Sequence, residues 1–329
     1  MLELEHQLTR ARGILRRAWA RTANTDPELV APARLVLRLD DTDLPGILGA
    51  GDTLTIHEWN QVITQAVEQY GPLPVTILAQ HNANDERVAP LIRFAHRMEC
   101  PTSLVTDGTG IDDAQAELLI DVGLGAIRIL VGGVSDGIQA QTVGNTAAEA
   151  TGAVASVLAA RDNRNSSIDI EVAIPWTGPV VLEIAAIVGW ARQAGVDGVR
   201  ILAPLLANDL PADPELLDKT IDSAGVFCRN TGTSIEEIHA MVAHPDGKPG
   251  LDKKHATRRR KKRKCPVGGQ RLVVAAAGNV YSCPFHAPIG QLGDELSDTL
   301  ALGRAHLEAI ASCNRVCSHV ELAPAPIFG

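Results

Sequence analysis

Four of the chain's six cysteines, Cys265, Cys283, Cys313 and Cys317, fall in its C-terminal stretch. Thiolates are soft ligands, and four of them brought together suit either zinc or an iron–sulfur cluster. The spacing indicates how they converge. Cys265 precedes one strand of a hairpin (Arg271–Ala276), Gly278-Asn279 makes the turn, and Cys283 ends the second strand (Val280–Ser282). Cys313 and Cys317 lie four residues apart, which puts both on one face of a helix, next to a helical segment near Thr299–Ala311. Zinc ribbons pair their cysteines as C-x₂-C knuckles, and neither pair here does so, although His286 and His319 are spare ligands for zinc. The basic run just before Cys265 favours the thiolate form. Cys100 and Cys228 stand alone among apolar neighbours and read as core cysteines.

A second polar set sits where strands are expected to end. Asp40, Asp41 and Asp43 follow the first apolar run, Gln80, His81 and Asn82 the second, and Asp107 the third. Asp41, Asp43, His81 and Asp107 can line a site for a small ligand or a divalent cation. The same residue types also make solvated turns and helix caps. A third feature is the run Arg258, Arg259, Arg260, Lys261, Lys262, Arg263 and Lys264. Net charge is −9, so without these seven charges the rest of the chain carries −16. Contact with an acidic peptide or partner surface, and a solvated linker, both fit such a run in an acidic protein. A nucleic-acid patch is the further alternative, but aromatic interleaving is sparse and no nucleic-acid fold is evident.

The elements that must position these residues alternate along the chain. Strands are expected at Leu35–Leu39, Val75–Ala79, Thr102–Thr106, Ala126–Val131, Ile168–Ile174 and Val199–Pro204. Helices are expected at Ile56–Tyr70, Val88–Met98, Asp113–Val122, Thr146–Ala160, Pro179–Gln193 and Pro214–Cys228. The strands are near-continuous apolar runs, as in parallel sheets covered on both faces. Six strand–helix units suit an open doubly wound sheet or a partial α/β barrel, and in both the ligand end is the carboxyl end of the strands. Residues 1–33 read as an amphipathic helix and a linker, 34–230 as the six-unit domain, 231–264 as a basic linker, and 265–329 as the cysteine module.

With 329 residues, 45% of them hydrophobic and only 3% aromatic, the chain can bury a large core of Ala, Val, Ile and Leu. No run approaches the roughly 18 apolar residues of a membrane span. The opening Met-Leu-Glu-Leu-Glu-His has acids where a secretory signal has bases, so a cytoplasmic protein is expected, with its cysteines holding metal rather than forming disulfides.

The module resembles a known family. Cys265-x₁₂-Gly278-x₄-Cys283, with Gly278-Asn-Val-Tyr-Ser-Cys283 and the continuation Ile289-Gly-Gln-Leu-Gly-Asp-Glu-Leu-Ser-Asp-Thr-Leu300, is similar to the SPASM/twitch auxiliary-cluster domain of radical SAM enzymes. Four cysteines match the shorter twitch form, which holds a single cluster. The barrel region resembles the same family along residues 34–320. Thr55-Ile-His-Glu-Trp59 is similar to the opening of its first helix, Leu104-Val-Thr-Asp-Gly-Thr109 to its "hhTNGT" strand end, Ile129–Gly137 to its "hSLDG" segment, and Gly195-Val-Asp-Gly-Val-Arg-Ile201 to its "GVd" segment. The resemblance implies a partial (β/α)6 TIM-like barrel with a small C-terminal twitch/SPASM-like iron–sulfur module. It also implies one [4Fe–4S] cluster on Cys265, Cys283, Cys313 and Cys317, with zinc as the alternative.

One defining motif is missing. The family carries C-x₃-C-x₂-C after the first strand, for the cluster that cleaves S-adenosylmethionine. Here that loop runs Asp40-Asp-Thr-Asp-Leu-Pro-Gly-Ile-Leu-Gly-Ala-Gly51, without a cysteine, and Ala79-Gln-His-Asn82 stands where the family has Gly-Gly-Glu-Pro. Hard oxygen donors do not hold such a cluster. S-adenosylmethionine is therefore not expected as a cofactor. The expectation is a degenerate, pseudoenzyme-like accessory protein in peptide or natural-product maturation, with a catalytic radical SAM subunit or an acidic peptide as partner. The alternatives are an enzyme of altered chemistry using the barrel mouth, and a zinc module with a basic nucleic-acid-binding tract.

Overall fold

In the computed structural model, residues 32, 34–39, 53–79, 81–175, 179–202, 271–281 and 290–292 are described. Their elements in chain order are β1 (Arg34–Arg38), α1 (Ile56–Tyr70), β2 (Val75–Leu78), α2 (Val88–Arg97), β3 (Thr102–Thr106), α3 (Asp113–Asp121), β4 (Ala126–Leu130), α4 (Asp136–Thr142), α5 (Ala147–Arg164), β5 (Asp169–Pro175), α6 (Ile184–Ala194), β6 (Gly198–Leu202), β7 (Arg271–Val274), β8 (Asn279–Tyr281) and β9 (Gly290–Gln291).

Local chemistry sets several boundaries. Thr55 caps α1 through its hydroxyl, while Glu58 reaches back to the Thr55 backbone N–H at 2.7 Å. Thr146 and Glu149 repeat this capping box at α5. α1 stops at Gly71, whose φ of +76° is a conformation that glycine adopts without strain.

The strands order as β6-β5-β4-β3-β2-β1-β7-β8-β9. From β1 to β6 each strand lies parallel beside its predecessor in the chain. A doubly wound sheet reverses direction at a switch point; this one does not, and sequential winding is the mark of a barrel. β7 adds in parallel on the other side of β1, with Leu35 opposite Leu272 and Leu37 opposite Val274. The β7–β8 hairpin predicted from Gly278-Asn279 is present, with Val273 opposite Tyr281. It extends the same sheet.

The two faces of the sheet differ. One alternating set, including Leu35, Leu37, Val75, Ile77, Leu104, Ile127, Ile129, Ile170 and Val172, packs with Trp59, Ile63, Leu91, Ile92, Leu119, Val154 and Ile187 from the helices. The other set faces the lumen and forms two smaller clusters, Val36 with Val273, Ala275 and Tyr281, and Val105 with Leu130, Val143 and Ala173. Arg34, Arg38, Ser103, Arg128 and Arg200 alternate into the lumen face and are buried as well. Curling of the sheet buries its inner face in this way, and Val143 at the end of α4 helps to close it.

Two segments differ from expectation. The helix expected at Pro179–Gln193 is a 3-10 turn (Pro179–Leu182), a break at Glu183, and α6. The break turns the Glu183 carboxylate towards the loop after β4. The short helix α4 was not expected, because in Asp-Gly-Ile-Gln-Ala-Gln-Thr the buried position is a glutamine, Gln139, and no apolar period marks it. The N-terminal helix, the segment Pro214–Cys228 and the segment Thr299–Ala311 lie outside the described residues.

Candidate functional site

Two polar groupings occupy the lumen, one at the mouth and one at mid-strand. At the mouth, β3 ends in Asp107, which is 2% exposed. Its Oδ1 accepts the Thr109 backbone N–H at 2.8 Å, and its Oδ2 lies 3.3 Å from Nδ1 of His81 on the loop after β2. The His81 side chain is 43% exposed, so the ring reaches the open end while the carboxylate behind it stays buried. The two loops are tied further. Ala83 N–H donates to the Thr109 carbonyl at 3.1 Å, and the Gln115 amide donates to the Ala83 carbonyl at 2.9 Å. Arg87, paired with Asp85, also donates to the Leu39 carbonyl at the end of β1.

A buried amide chain extends this grouping across the sheet. The Gln139 carbonyl oxygen accepts the N–H groups of Gly132 and Gly133 at 2.7 and 3.0 Å. Its amide donates to Asn145 at 2.6 Å, and Asn145 donates to the Asp107 backbone carbonyl at 2.8 Å. On the rim, Glu183 accepts from the Val134 and Ser135 N–H groups and the Ser135 hydroxyl. Burial pushes the Glu183 carboxyl up, but these Ser135 and Val134 donors outweigh it and hold it below the usual carboxylate range.

At mid-strand, Glu171 on β5 accepts from Arg128 on β4 and from Arg200 on β6, the latter at 2.9 Å. Burial pushes Glu171 up, and the two arginines more than reverse it. Arg128 is pushed below its ordinary range chiefly by burial, against the attraction of Glu171. Asp169, two residues before Glu171, is held up by burial and then by the nearby Glu171 and Asp197 charges. Sequence reasoning missed this network, although a signal was present. Three successive strands, Ala-Ile-Arg-Ile-Leu, Asp-Ile-Glu-Val-Ala and Gly-Val-Arg-Ile-Leu, each carry a charge at the centre of an apolar run.

Of the predicted mouth residues, His81 and Asp107 are brought together. Asp41 and Asp43 lie outside the described residues, as do Cys265, Cys283, Cys313, Cys317, Cys228 and the run Arg258–Lys264. Cys100 is a buried free cysteine, as expected. Among the described residues no group of three or more His, Cys, Asp or Glu is placed to hold a metal ion, and no helix is long and apolar enough to cross a membrane. The chemistry of the donor set separates the two clusters that the family resemblance raises. The loop leaving β1 offers no thiolate, so an S-adenosylmethionine-cleaving cluster does not fit there. In the sequence Cys265 stands six residues before β7 and Cys283 two after β8, and four thiolates, with Cys313 and Cys317, are a donor set that suits a [4Fe–4S] cluster.

No protein-family model matches the chain, and no curated protein matches it. Solved structures do. SuiB of Streptococcus suis bound to the precursor peptide SuiA superposes with a TM-score of 0.63 at 12% identity, over 82% of this chain and 64% of SuiB. SuiB bound to S-adenosylmethionine gives 0.61 at 12% identity, over 86% and 66%. The chain thus spans just under two thirds of SuiB. The protein anSMEcpe with bound AdoMet gives 0.61 at 12% identity, over 86% of this chain and 81% of that one. Sequential winding of six parallel strands and these superpositions together give this chain a partial α/β barrel fold like that of SuiB and anSMEcpe.

Proposed function

We propose that this chain is a degenerate radical SAM-like iron–sulfur protein that serves as a non-catalytic accessory subunit in peptide or natural-product maturation. The observation that carries this reading is the end of β1. It leads into Asp40–Gly51, which has no cysteine, in a barrel whose fold otherwise matches the superfamily. Residues 265–329 form the module that holds one auxiliary [4Fe–4S] cluster through Cys265, Cys283, Cys313 and Cys317. When bound, that cluster supplies a one-electron relay or a structural staple. The partner is a catalytic radical SAM subunit that provides the missing cluster, or an acidic peptide held by Arg258–Lys264. SuiB, bound to its precursor peptide, supports a peptide setting.

Anaerobic reconstitution with iron and sulfide tests this. About four irons and four sulfides per chain are expected, and Cys283→Ala loses them. The reduced chain alone leaves S-adenosylmethionine intact. Stable zinc without sulfide, or turnover of S-adenosylmethionine by this chain alone, sinks the reading.

The His81–Asp107 contact favours a second reading, an enzyme of altered chemistry. A buried carboxylate fixes the ring orientation of a partly exposed imidazole, and such a pair moves protons or ligates a divalent cation. Asp41 and Asp43 would complete that site. Calorimetric titration with divalent cations and with S-adenosylmethionine separates the two readings. Heat that disappears in His81→Ala and Asp41→Ala supports the enzyme; no heat removes it.

A further inference from the structure

Thr55, Asp112 and Thr146 stand at the heads of α1, α3 and α5, and each side chain accepts a backbone N–H of its own helix. Two other helices depart from this pattern, although an acceptor stands at the head of each. Ser135 precedes α4 and Glu183 precedes α6, and neither side chain bonds its own helix. They bond each other instead. The Ser135 hydroxyl donates to Glu183 Oε1 at 2.6 Å, and the Val134 and Ser135 N–H groups donate to Oε2 at 2.7 and 3.1 Å. The carboxylate is closely seated, since a Cβ on Gly133 would lie 2.8 Å from Oε2. The contact joins the loop after β4 to the turn that follows β5, on the rim of the mouth.

This pairing competes with two caps. Ser135 already has the extended backbone of a capping residue, with φ −99° and ψ 140°. From that conformation a serine reaches the second or third N–H of its helix, here Gly137 and Ile138. A carboxylate at the head of a helix meets the positive end of its dipole, so Glu183 has a second seat on α6. The surroundings restrict the exchange to a few groups. Val180 and Ile184 are buried on either side of Glu183, and Gln139 holds Gly132 and Gly133 in place. The contact itself lies at the surface, where water competes for each bond.

We infer that Ser135 and Glu183 form a clasp with two settings. Closed, as in this structure, they bond each other across the rim. Open, each caps its own helix, and Val134 and Ser135 part from the turn after β5. Each bond lost on opening is replaced in part by a cap, which keeps the two settings close in free energy. The clasp belongs to the barrel alone and is independent of what the cysteine module holds.

Amide exchange, followed residue by residue by NMR on the full chain, tests this. In Glu183→Ala the Val134 and Ser135 amides exchange roughly tenfold faster, as loss of a charged acceptor implies. The Gly137 and Ile138 amides slow roughly fivefold in the same variant, because the released Ser135 hydroxyl caps α4. Glu183→Gln, which keeps the side-chain shape, gives the same directions with smaller effects. In Ser135→Ala the Ala185 and Ala186 amides slow about twofold or more as Glu183 turns to α6. The double variant slows neither helix head. Amides in the middle of β4 and β5 keep their native rates throughout, which shows an intact barrel. The inference is overturned if Glu183→Ala leaves Gly137 and Ile138 exchanging as in the native chain, or if Ser135→Ala leaves Ala185 and Ala186 so, since the released side chain has then gone to water. It is also overturned if the Val134 and Ser135 amides stay as slow without Glu183 as with it.

Discussion

Nδ1 of His81 lies 3.3 Å from Oδ2 of Asp107, joining the loop after β2 to the end of β3. Asp107 is itself held from behind. Asn145 donates to its backbone carbonyl at 2.8 Å and accepts from Gln139 at 2.6 Å. The ring orientation at the mouth therefore depends on a buried amide chain that reaches Gly132 and Gly133 beyond β4. Asn145→Ala removes the middle of that chain and leaves the Gln139 amide and the Asp107 carbonyl unmet. The expected loss of unfolding free energy is about 1–3 kcal/mol, read as a lower urea midpoint. The Thr109 amide, which donates to Asp107 Oδ1, should exchange faster with solvent in the variant. An unchanged midpoint and unchanged exchange would show that the chain does not hold Asp107 in place.

Glu171 is the anion that lets two arginines share the lumen. Glu171→Gln keeps the side-chain shape but puts a neutral amide between the two guanidinium groups. Breaking a buried ion pair on one side costs about 3–5 kcal/mol, measurable by guanidinium or urea unfolding. The pH dependence has a defined sign. The folded pKa of Glu171 is depressed, so its contribution is present above its ordinary value of 4.5 and is lost as pH falls through the lower folded value. The Gln variant lacks that acid-side loss, and the two stability curves should converge in acid. Curves that stay parallel down to strongly acid pH would contradict the assignment.

Asp169 has the opposite sign. Burial and repulsion from Glu171 and Asp197 raise its folded pKa above the ordinary 3.8. Its ionised form is thus penalised in the folded state. That penalty is absent below 3.8 and complete above the raised value. Asp169→Asn should raise the denaturation midpoint at neutral pH, and the gain over the native chain should shrink as pH falls towards 3.8. A loss of stability at neutral pH would mean that attraction to Arg128 and Arg200 dominates at this position.

The legible parts of the fold were those written in local chemistry. α1 spans the residues expected for it because Thr55 and Glu58 cap its start and Gly71 ends it. β3 likewise has its expected bounds, since Thr-Ser-Leu-Val-Thr, rich in β-branched residues, lies between a proline and an Asp-Gly turn. The meeting of His81 and Asp107 was legible because polar residues at the ends of adjacent parallel strands must share the mouth. Pairing of β7 with β1 was not legible, since nothing local in Arg-Leu-Val-Val names a partner more than 200 residues away. The lumen charges Arg128, Glu171 and Arg200 were in view as isolated charges inside apolar strands. Only the register, which sets Arg128 opposite Glu171 and brings Arg200 within reach of the same carboxylate, reveals them as one network.

Two glycines separate backbone strain from chain entropy. Gly108 follows Asp107 with a φ of +90°, and a Cβ there would lie 2.8 Å from the Ala153 Cβ on α5. Neither the backbone conformation nor the contact suits a side chain. Gly108→Ala is expected to cost about 1–3 kcal/mol and to displace Asp107, loosening its hold on His81. Gly152 lies on the exposed side of α5, and a Cβ there would meet nothing within 4 Å. Gly152→Ala is expected to gain roughly 0.5–1 kcal/mol, because alanine loses less backbone entropy than glycine on entering a helix. Chemical unfolding of the two variants side by side gives the test. Opposite shifts are expected, and a stabilising Gly108→Ala would show that the turn after β3 does not need its left-handed residue.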